Sequence, residues 1–434
     1  MKLNYKNLIV KNGLMNSIMK KRIAYFVGDF PSRSETWIFT EIMQLMQQDI
    51  NIKIFSVRDK KPSLFLPEYS LLINNTEYRD KFFLFYFIKN PINKTKDFFK
   101  IFTEIWKEFL HDTQGFRGKM QVLKDLIFFI CMSEKIKAFN ADLVVVHFAN
   151  SRANPVLFNN ILFKTPYIIK MHAVDVFNRP NLFHLKVKRA HKILTISKYN
   201  ISYIKNRDKD IDISKFIVHH CGILTSRFEF KSVLEKNNKI PIIISVARLT
   251  PMKGLDTLIK ASSLLHKKGL KHKIILVGHG TYKKFLINLS NNLGIQNSIE
   301  FKDYCTPEEI RNYLYVSNLF VLASKIEGIP VAVMEAMSTG LPVITTNISG
   351  IPELIENNKD GFLINPGEPV ALSNKIEKVL EMPRNELQKI SSNARKKIEM
   401  YFDQTKLTYE LKDIFESLDQ NSNLLRGKNS LAVS

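Results

Sequence analysis

Glu327 and Glu335 lie eight positions apart in "KIEGIPVAVMEAMSTGLPVITT", one before a Gly–Ile–Pro turn and one about a turn into the helix that follows. A carboxylate at either place can accept hydrogen bonds from neighbouring hydroxyls: Glu335 from a ribose, Glu327 from a sugar ring. Gly328 permits close backbone approach, and Pro330 suits the start of a helix. The first amides of "VAVMEAM" have no intrahelical acceptors and lie at the positive end of the helix dipole, a site for an anion such as a diphosphate. An acid near a helix N-terminus is also favourable by itself, so the pair needs a companion. Arg248 and Lys253 of "SVARLTPMKG" supply one. Two cations on a strand-to-helix loop can clamp a diphosphate and stabilise it as it departs. Gly278 and Gly280 of "LVGHG" can bring backbone to the same ligand, although turn chemistry explains them equally well.

In the first half, His172 follows the run "PYIIKM" and so sits at the carboxyl end of a strand, where it can hydrogen-bond a sugar or a departing phosphate. His219 and His220 also follow a strand, but no third ligand stands at metal spacing, so structural roles are expected. The string "DKDID" (208–212) lies in a polar segment, where a solvated loop is expected rather than a metal site. The stretch "FPSRSETWIF" leaves the first strand with Ser34 as the expected N-cap. Arg33, Ser34, Glu35 and Thr36 could face an acceptor there; plain helix capping is the alternative.

These residues need strands and helix starts to hold them. From Lys239 onward, "IPIIISVAR", "HKIILVG", "SIEF", "LFVLAS" and "PVITT" read as strands separated by helical patterns. One such helix carries Leu255, Leu258, Ile259, Ser262 and Leu265 on one face. Another opens with a capping box, Thr306 and Glu309, with Pro307 at its first position. The first half repeats the grammar in "RIAYFV", "INIKIFSV", "DLVVVHFA", "PYIIKMH" and "KILTIS". Apolar strands with helical crossovers predict α/β architecture with doubly wound parallel sheets. The expected divisions are an N-terminal extension (1–20), a first domain (21–225) with a mostly helical insertion at about 59–140, a linker (226–240), a second domain (241–405), a C-terminal helix (406–420) and a tail (421–434).

The 434 residues carry a formal charge of +23, and residues 1–225 hold 36 basic against 19 acidic side chains. The first half therefore faces something anionic: phosphates, acidic lipid or nucleic acid. Lysines interleave with aromatics in "RDKFFLFYFIKNPINKTKDFFKIF", a composition suited to an anionic bilayer, with burial in the core the expectation for most of the phenylalanines. The longest apolar runs, 82–88 and 126–132, are too short to cross a membrane, and the three scattered cysteines suggest neither disulfides nor zinc. A cytoplasmic protein is expected, in contact with the inner face of the plasma membrane if the acceptor is lipid-linked.

Arg248, Lys253 and the Glu327-to-Glu335 block, with "NISGIPELI", "DGFLI", "KMHAVDVF", "TISKYN" and "HHCGI", resemble the retaining nucleotide-sugar glycosyltransferases of family four, over most of residues 21–405. "FPSRSETWIFTEI" and "HAVD" are most similar to its colanic-acid and exopolysaccharide branch. The resemblance implies the GT-B architecture, two Rossmann-like domains facing across a cleft. It implies that Arg248 and Lys253 hold the donor diphosphate and Glu335 the ribose. Glu327 and the backbone of Gly328, Ile329 and Pro330 would hold the donor sugar. The base would lie near Phe301 and Asp303, His172 would stand at the reacting sugar, and Asp175 would order the acceptor-side loop. A glycine is frequent in the family where Asp303 stands, so uridine and guanosine both stay open. The implied reaction is metal-free transfer of a hexose, without cofactor, to a saccharide acceptor that a polyprenyl diphosphate could carry, in exopolysaccharide, capsule or O-antigen synthesis. Three other readings compete: an inactive nucleotide-sugar-binding protein on the same fold, a nucleic-acid binder, and a nicotinamide-dependent oxidoreductase. The second has no reader motif, and "VGDFPSRSE" lacks the glycine fingerprint that the third requires.

Overall fold

Strands covered on both faces are built from unbroken apolar runs, and two sheets of this kind organise the chain. The computed structural model describes residues 21–28, 30, 35–56, 70–78, 91–111, 115–178, 180–236 and 238–430, with backbone alone at 36 and 419–430. The expected N-terminal extension, Arg33, Ser34 and the apolar run 82–88 lie outside the described residues, as does the side chain of Thr36.

The first sheet comprises β1 (Arg22–Val27), β2 (Asn51–Ser56), β3 (Thr76–Tyr78), β4 (Leu143–His147), β5 (Tyr167–Met171), β6 (Lys192–Thr195) and β7 (Phe216–Val218), in the order β3-β2-β1-β4-β5-β6-β7. The second comprises β8 (Ile242–Val246), β9 (Lys273–Val277), β10 (Ile299–Lys302), β11 (Leu319–Leu322), β12 (Val343–Thr346) and β13 (Phe362–Ile364), ordered β10-β9-β8-β11-β12-β13. Neighbouring strands pair in parallel, for example β1 with β4 and β11 with β8. The winding reverses between β1 and β4 and again between β8 and β11. A crevice opens at the carboxyl ends of the strands at each such point.

Apolar side chains cover both faces of each sheet. Phe129 and Val144 are buried in one layer of the first domain, Tyr25 and Ile42 in the other. Leu258 and Val321 pack on one face of the second sheet, Val333 and Phe320 on the opposite face. The stretch read as a mostly helical insertion holds the helices Ser70–Asn74, Pro91–His111 and Gly115–Phe139, and also β3, which completes the sheet edge. A three-residue strand has no periodicity by which to detect it.

The stretch 226–240 is strapped to the second domain. The Ser232 hydroxyl and the Val233 amide both donate to Gln388 Oε1, at 2.8 and 3.0 Å, and Arg395 donates to the Phe228 carbonyl at 2.8 Å. The last helix, Gln404–Ser430, returns to the first domain, where Leu411, Phe415 and Leu418 join the core beside Ile23 and Leu45. It runs beyond 420, where its polar composition suggested a tail.

Candidate functional site

The loop after β8 carries Arg248 and Lys253, and the loop after β11 carries Glu327. The Lys253 ammonium donates to Glu327 Oε1, which also accepts from the Ser324 hydroxyl at 3.0 Å. An ammonium has three donors, so Lys253 can hold Glu327 and still present hydrogens to an anion. Oε2 of Glu327 takes no hydrogen bond from any described residue. Arg248 stands exposed at the strand end, without an ion pair among the described residues. Gly278 and Gly280 act on this loop. A Cβ on Gly278 would lie 1.9 Å from the Ala247 carbonyl oxygen, and one on Gly280 2.2 Å from that of Leu249. The two glycines thus let the β9 loop press against the backbone flanking Arg248.

Pro330 is the N-cap of the helix Val331–Ser338, and Ile329 is buried beneath it. Glu335 is half-buried on that helix. Burial pushes its carboxyl up to about 7, against the opposing charge of Arg311. No described residue donates a hydrogen bond to it. Asp303, after β10, is exposed and held by the Lys283 ammonium at 2.7 and 2.8 Å. Beside it the rings of His279 and Tyr304 lie with centroids 4.1 Å apart and planes tilted by 34°. Lys283, His279 and Tyr304 escaped the sequence reading. Their only signal was adjacency to the glycines and to Asp303.

In the first domain, His172 caps the short helix Ala173–Phe177 at the end of β5, packed against Phe148 and Trp37. Its amide donates to Asp175 Oδ2 at 3.0 Å. Asp175 is buried, which pushes its carboxyl up to about 7, partly offset by the backbone amides that it accepts. His172 Nε2 lies 3.2 Å from His147 Nδ1, and His147 Nε2 lies 3.1 Å from Glu41 Oε1. Lys170 donates to the other oxygen of Glu41. The sequence reading missed Glu41, His147 and Lys170. A lysine inside the apolar run "PYIIKM" was the available signal, because a buried charge needs a partner.

The N-cap of the helix Thr36–Gln47 is Glu35, not Ser34, and its side chain makes no cap bond. Arg152 draws the carboxylate away in a bidentate pair, both bonds 3.0 Å, while its guanidinium lies 4.6 Å from the centre of the Phe148 ring. His219 Nε2 donates to the Leu407 carbonyl at 2.8 Å and His220 Nδ1 to that of Ile196 at 2.7 Å, so both histidines hold backbone. Asp212 of "DKDID" accepts from the Ser214 amide at 3.0 Å, a turn. No group of three or more potential metal ligands occurs among the described residues.

The two halves of the site meet at Gly328. A Cβ there would lie 3.1 Å from Ala173 Cβ and 2.6 Å from Ile196 Cδ1, so the Glu327-to-Pro330 loop abuts the residue following His172. Next to it, the Glu353 carboxylate of the second domain accepts from the amides of Lys198 and Tyr199, both at 2.9 Å. The Glu327-to-Pro330 loop of one domain thereby lies against the His172 loop of the other.

The profile of the family "Glycosyl transferases group 1" matches residues 226–397. The amylovoran biosynthesis glycosyltransferase AmsK of Erwinia amylovora is 30% identical over 308 residues, 65% of this chain and 72% of its own. WcaL of Escherichia coli (strain K12), assigned to colanic acid biosynthesis as a glycosyltransferase, is 28% identical over 309 residues, 68% of this chain and 75% of its own. Among solved structures, HepE of Anabaena in complex with UDP-glucose superposes with a TM-score of 0.68 at 17% identity, covering 91% of this chain and 99% of that one. That likeness establishes the shared two-domain GT-B fold.

Proposed function

The chain belongs to the glycosyl transferases group 1, and from that premise we propose that it moves a hexose from a nucleoside-diphosphate sugar to a saccharide acceptor during exopolysaccharide synthesis, with retention at the anomeric carbon. The observation that carries this reading is the meeting at Gly328 of the Lys253–Glu327 pair with the His172 loop. Arg248, Lys253 and the first amides of the helix Val331–Ser338 would hold the diphosphate. As the sugar–oxygen bond breaks, negative charge grows on the departing diphosphate, and these fixed groups stabilise it without rearranging. That is the work a divalent cation would otherwise do. Glu335 would grip the ribose hydroxyls and Glu327, through Oε2, those of the sugar, while the base lies by Asp303, His279 and Tyr304. His172 would stand against the reacting sugar from the acceptor side. The relatives named for colanic acid and amylovoran synthesis support a polysaccharide product. HepE, solved with UDP-glucose, supports a nucleotide-sugar donor.

The acceptor would be carried on a polyprenyl diphosphate at the cytoplasmic face of a membrane. No helix among the described residues is long and apolar enough to cross one. The helix Pro91–His111 nevertheless exposes Ile92, Phe99, Trp106 and Leu110 along one stripe, with Phe116 just beyond and the exposed lysines Lys96, Lys100 and Lys107 alongside. Such a face suits the headgroup layer of an anionic bilayer.

The test is a thermal-shift and turnover screen of UDP- and GDP-sugars in the presence of EDTA. Stabilisation and turnover should persist in the chelator, with one base preferred. The double variant Arg248→Ala/Lys253→Ala should lose at least about a hundredfold in turnover. Full activity in that variant, or a strict need for Mg²⁺, would overturn the mechanism.

A further inference from the structure

A buried chain of titratable groups lies behind His172, with no part in holding the donor. Glu41 comes from the helix Thr36–Gln47, Tyr25 from β1, His147 from β4 and Lys170 from β5. Glu41 Oε1 accepts from the Tyr25 hydroxyl at 3.1 Å and faces His147 Nε2 at the same distance, while Oε2 takes the Lys170 ammonium. The His147 and His172 rings stack, with centroids 5.5 Å apart and planes within 21°. Glu35, Arg152 and His219 also bear on the chain, and each is committed elsewhere: Glu35 and Arg152 to one another and His219 to the Leu407 carbonyl.

The protons in this chain are assigned by elimination. Burial alone would raise the Glu41 carboxyl, but Lys170 and His147 outweigh it and hold the group well below the usual carboxylate range. An ionised carboxylate only accepts, so His147 carries its hydrogen on Nε2 and presents the Nδ1 lone pair to His172. Burial pushes both imidazoles down, His172 further, which keeps them neutral at pH 7. His172 must then carry its hydrogen on Nε2, leaving Nδ1 as a lone pair that the capping box with Asp175 turns to the Asp175 amide.

We propose that Glu41 and His147 are positioning residues for glycosyl transfer, locking His172 as the neutral Nε2–H tautomer and so fixing the orientation in which the uncharged ring stands against the reacting sugar. The claim rests on the transferase reading above. Its chemical sense is that positive charge builds on the sugar as the leaving group departs. A neutral ring tolerates that charge, whereas an imidazolium would oppose it.

Long-range ¹H–¹⁵N NMR of the full chain, labelled at histidine, should find His172 protonated on Nε2 and bare on Nδ1; the opposite tautomer would overturn the proposal. In Glu41→Gln, Lys170 keeps the amide oxygen, so the NH₂ turns to His147 and the tautomer inverts along the chain. Turnover should fall roughly a hundredfold, while KM for the donor, held by the other domain, stays put. Unchanged kcat with an inverted tautomer would refute the positioning role. Should that variant fail to fold, His147→Phe keeps the ring stack and removes the link; it should lower kcat at constant donor KM, and native kcat would refute the role equally. A native chain with the stated tautomer but no turnover on any nucleotide sugar would sink the transferase reading and the positioning role with it, leaving the hydrogen-bond chain intact.

Discussion

Burial pushes the Glu335 carboxyl up to about 7, and in the proposed role at the ribose this would make donor binding depend on pH. Ribose hydroxyls would donate to the ionised carboxylate, so affinity for a nucleoside diphosphate should climb as pH rises through about 7 and level off above it. Stability runs the other way. A carboxyl whose folded-state pKa is raised contributes stability below its unfolded value, and that contribution is lost as pH rises through the folded value. Glu335→Gln should therefore weaken nucleotide binding at pH 8 by roughly 1.5–3 kcal/mol, the worth of hydrogen bonds to a charged group, and flatten its pH profile in calorimetry. The same variant should gain melting temperature over the native chain at pH 8 but not at pH 5. Equal pH slopes in both proteins would exclude Glu335 from the ribose. At this scale the placement of the second-domain residues was legible in sequence, because Arg248, Lys253, Glu327 and Glu335 each sit just past an apolar run or a helix start. The Tyr25–Glu41–His147–Lys170 cluster was not, since its members come from four elements and meet only when the sheet forms.

The helix Lys198–Arg207 shows how one element can report on another domain. Ser197 caps it from within by accepting from the Asn200 amide at 3.2 Å, and Glu353 from the second domain takes its first two amides. A carboxylate at a helix N-terminus is favoured by the dipole and by charge-assisted hydrogen bonds. Glu353→Ala should cost the closed arrangement about 1 kcal/mol. The expected readouts are a larger radius of gyration in solution scattering and a raised KM for the donor, with each domain's secondary structure unchanged; native scattering and KM would show that Glu353 does not hold the domains together. Elements were the most legible level of this chain. The capping box at Thr306 and Glu309 is present, with its bonds at 2.6 and 3.2 Å, because its partners sit three residues apart. The helix Leu255–Lys267 buries the stripe that its periodicity announced. β3 and the run past 420 were missed, because neither carries an apolar repeat.

Across the whole molecule, charge and shape divide between the domains, the first taking most of the net positive charge and the exposed stripe of Ile92, Phe99, Trp106 and Leu110. Co-sedimentation with vesicles should rise with anionic lipid content, each lysine near the surface being worth about 1 kcal/mol. It should fall with salt and collapse in Phe99→Glu/Trp106→Glu while turnover on a soluble acceptor persists. Binding indifferent to lipid charge would exclude this face as the membrane contact. The sequence placed the excess of basic residues in the first half but not on a surface, since exposure is decided by how Pro91–His111 packs on its neighbours. The final helix carries a consequence for biosynthesis. Leu411, Phe415 and Leu418 fill a layer that begins with Ile23, so a nascent first domain leaves the ribosome with that layer unsealed. Its completion must wait until Leu418 has been synthesised, and until then the exposed apolar gap invites aggregation.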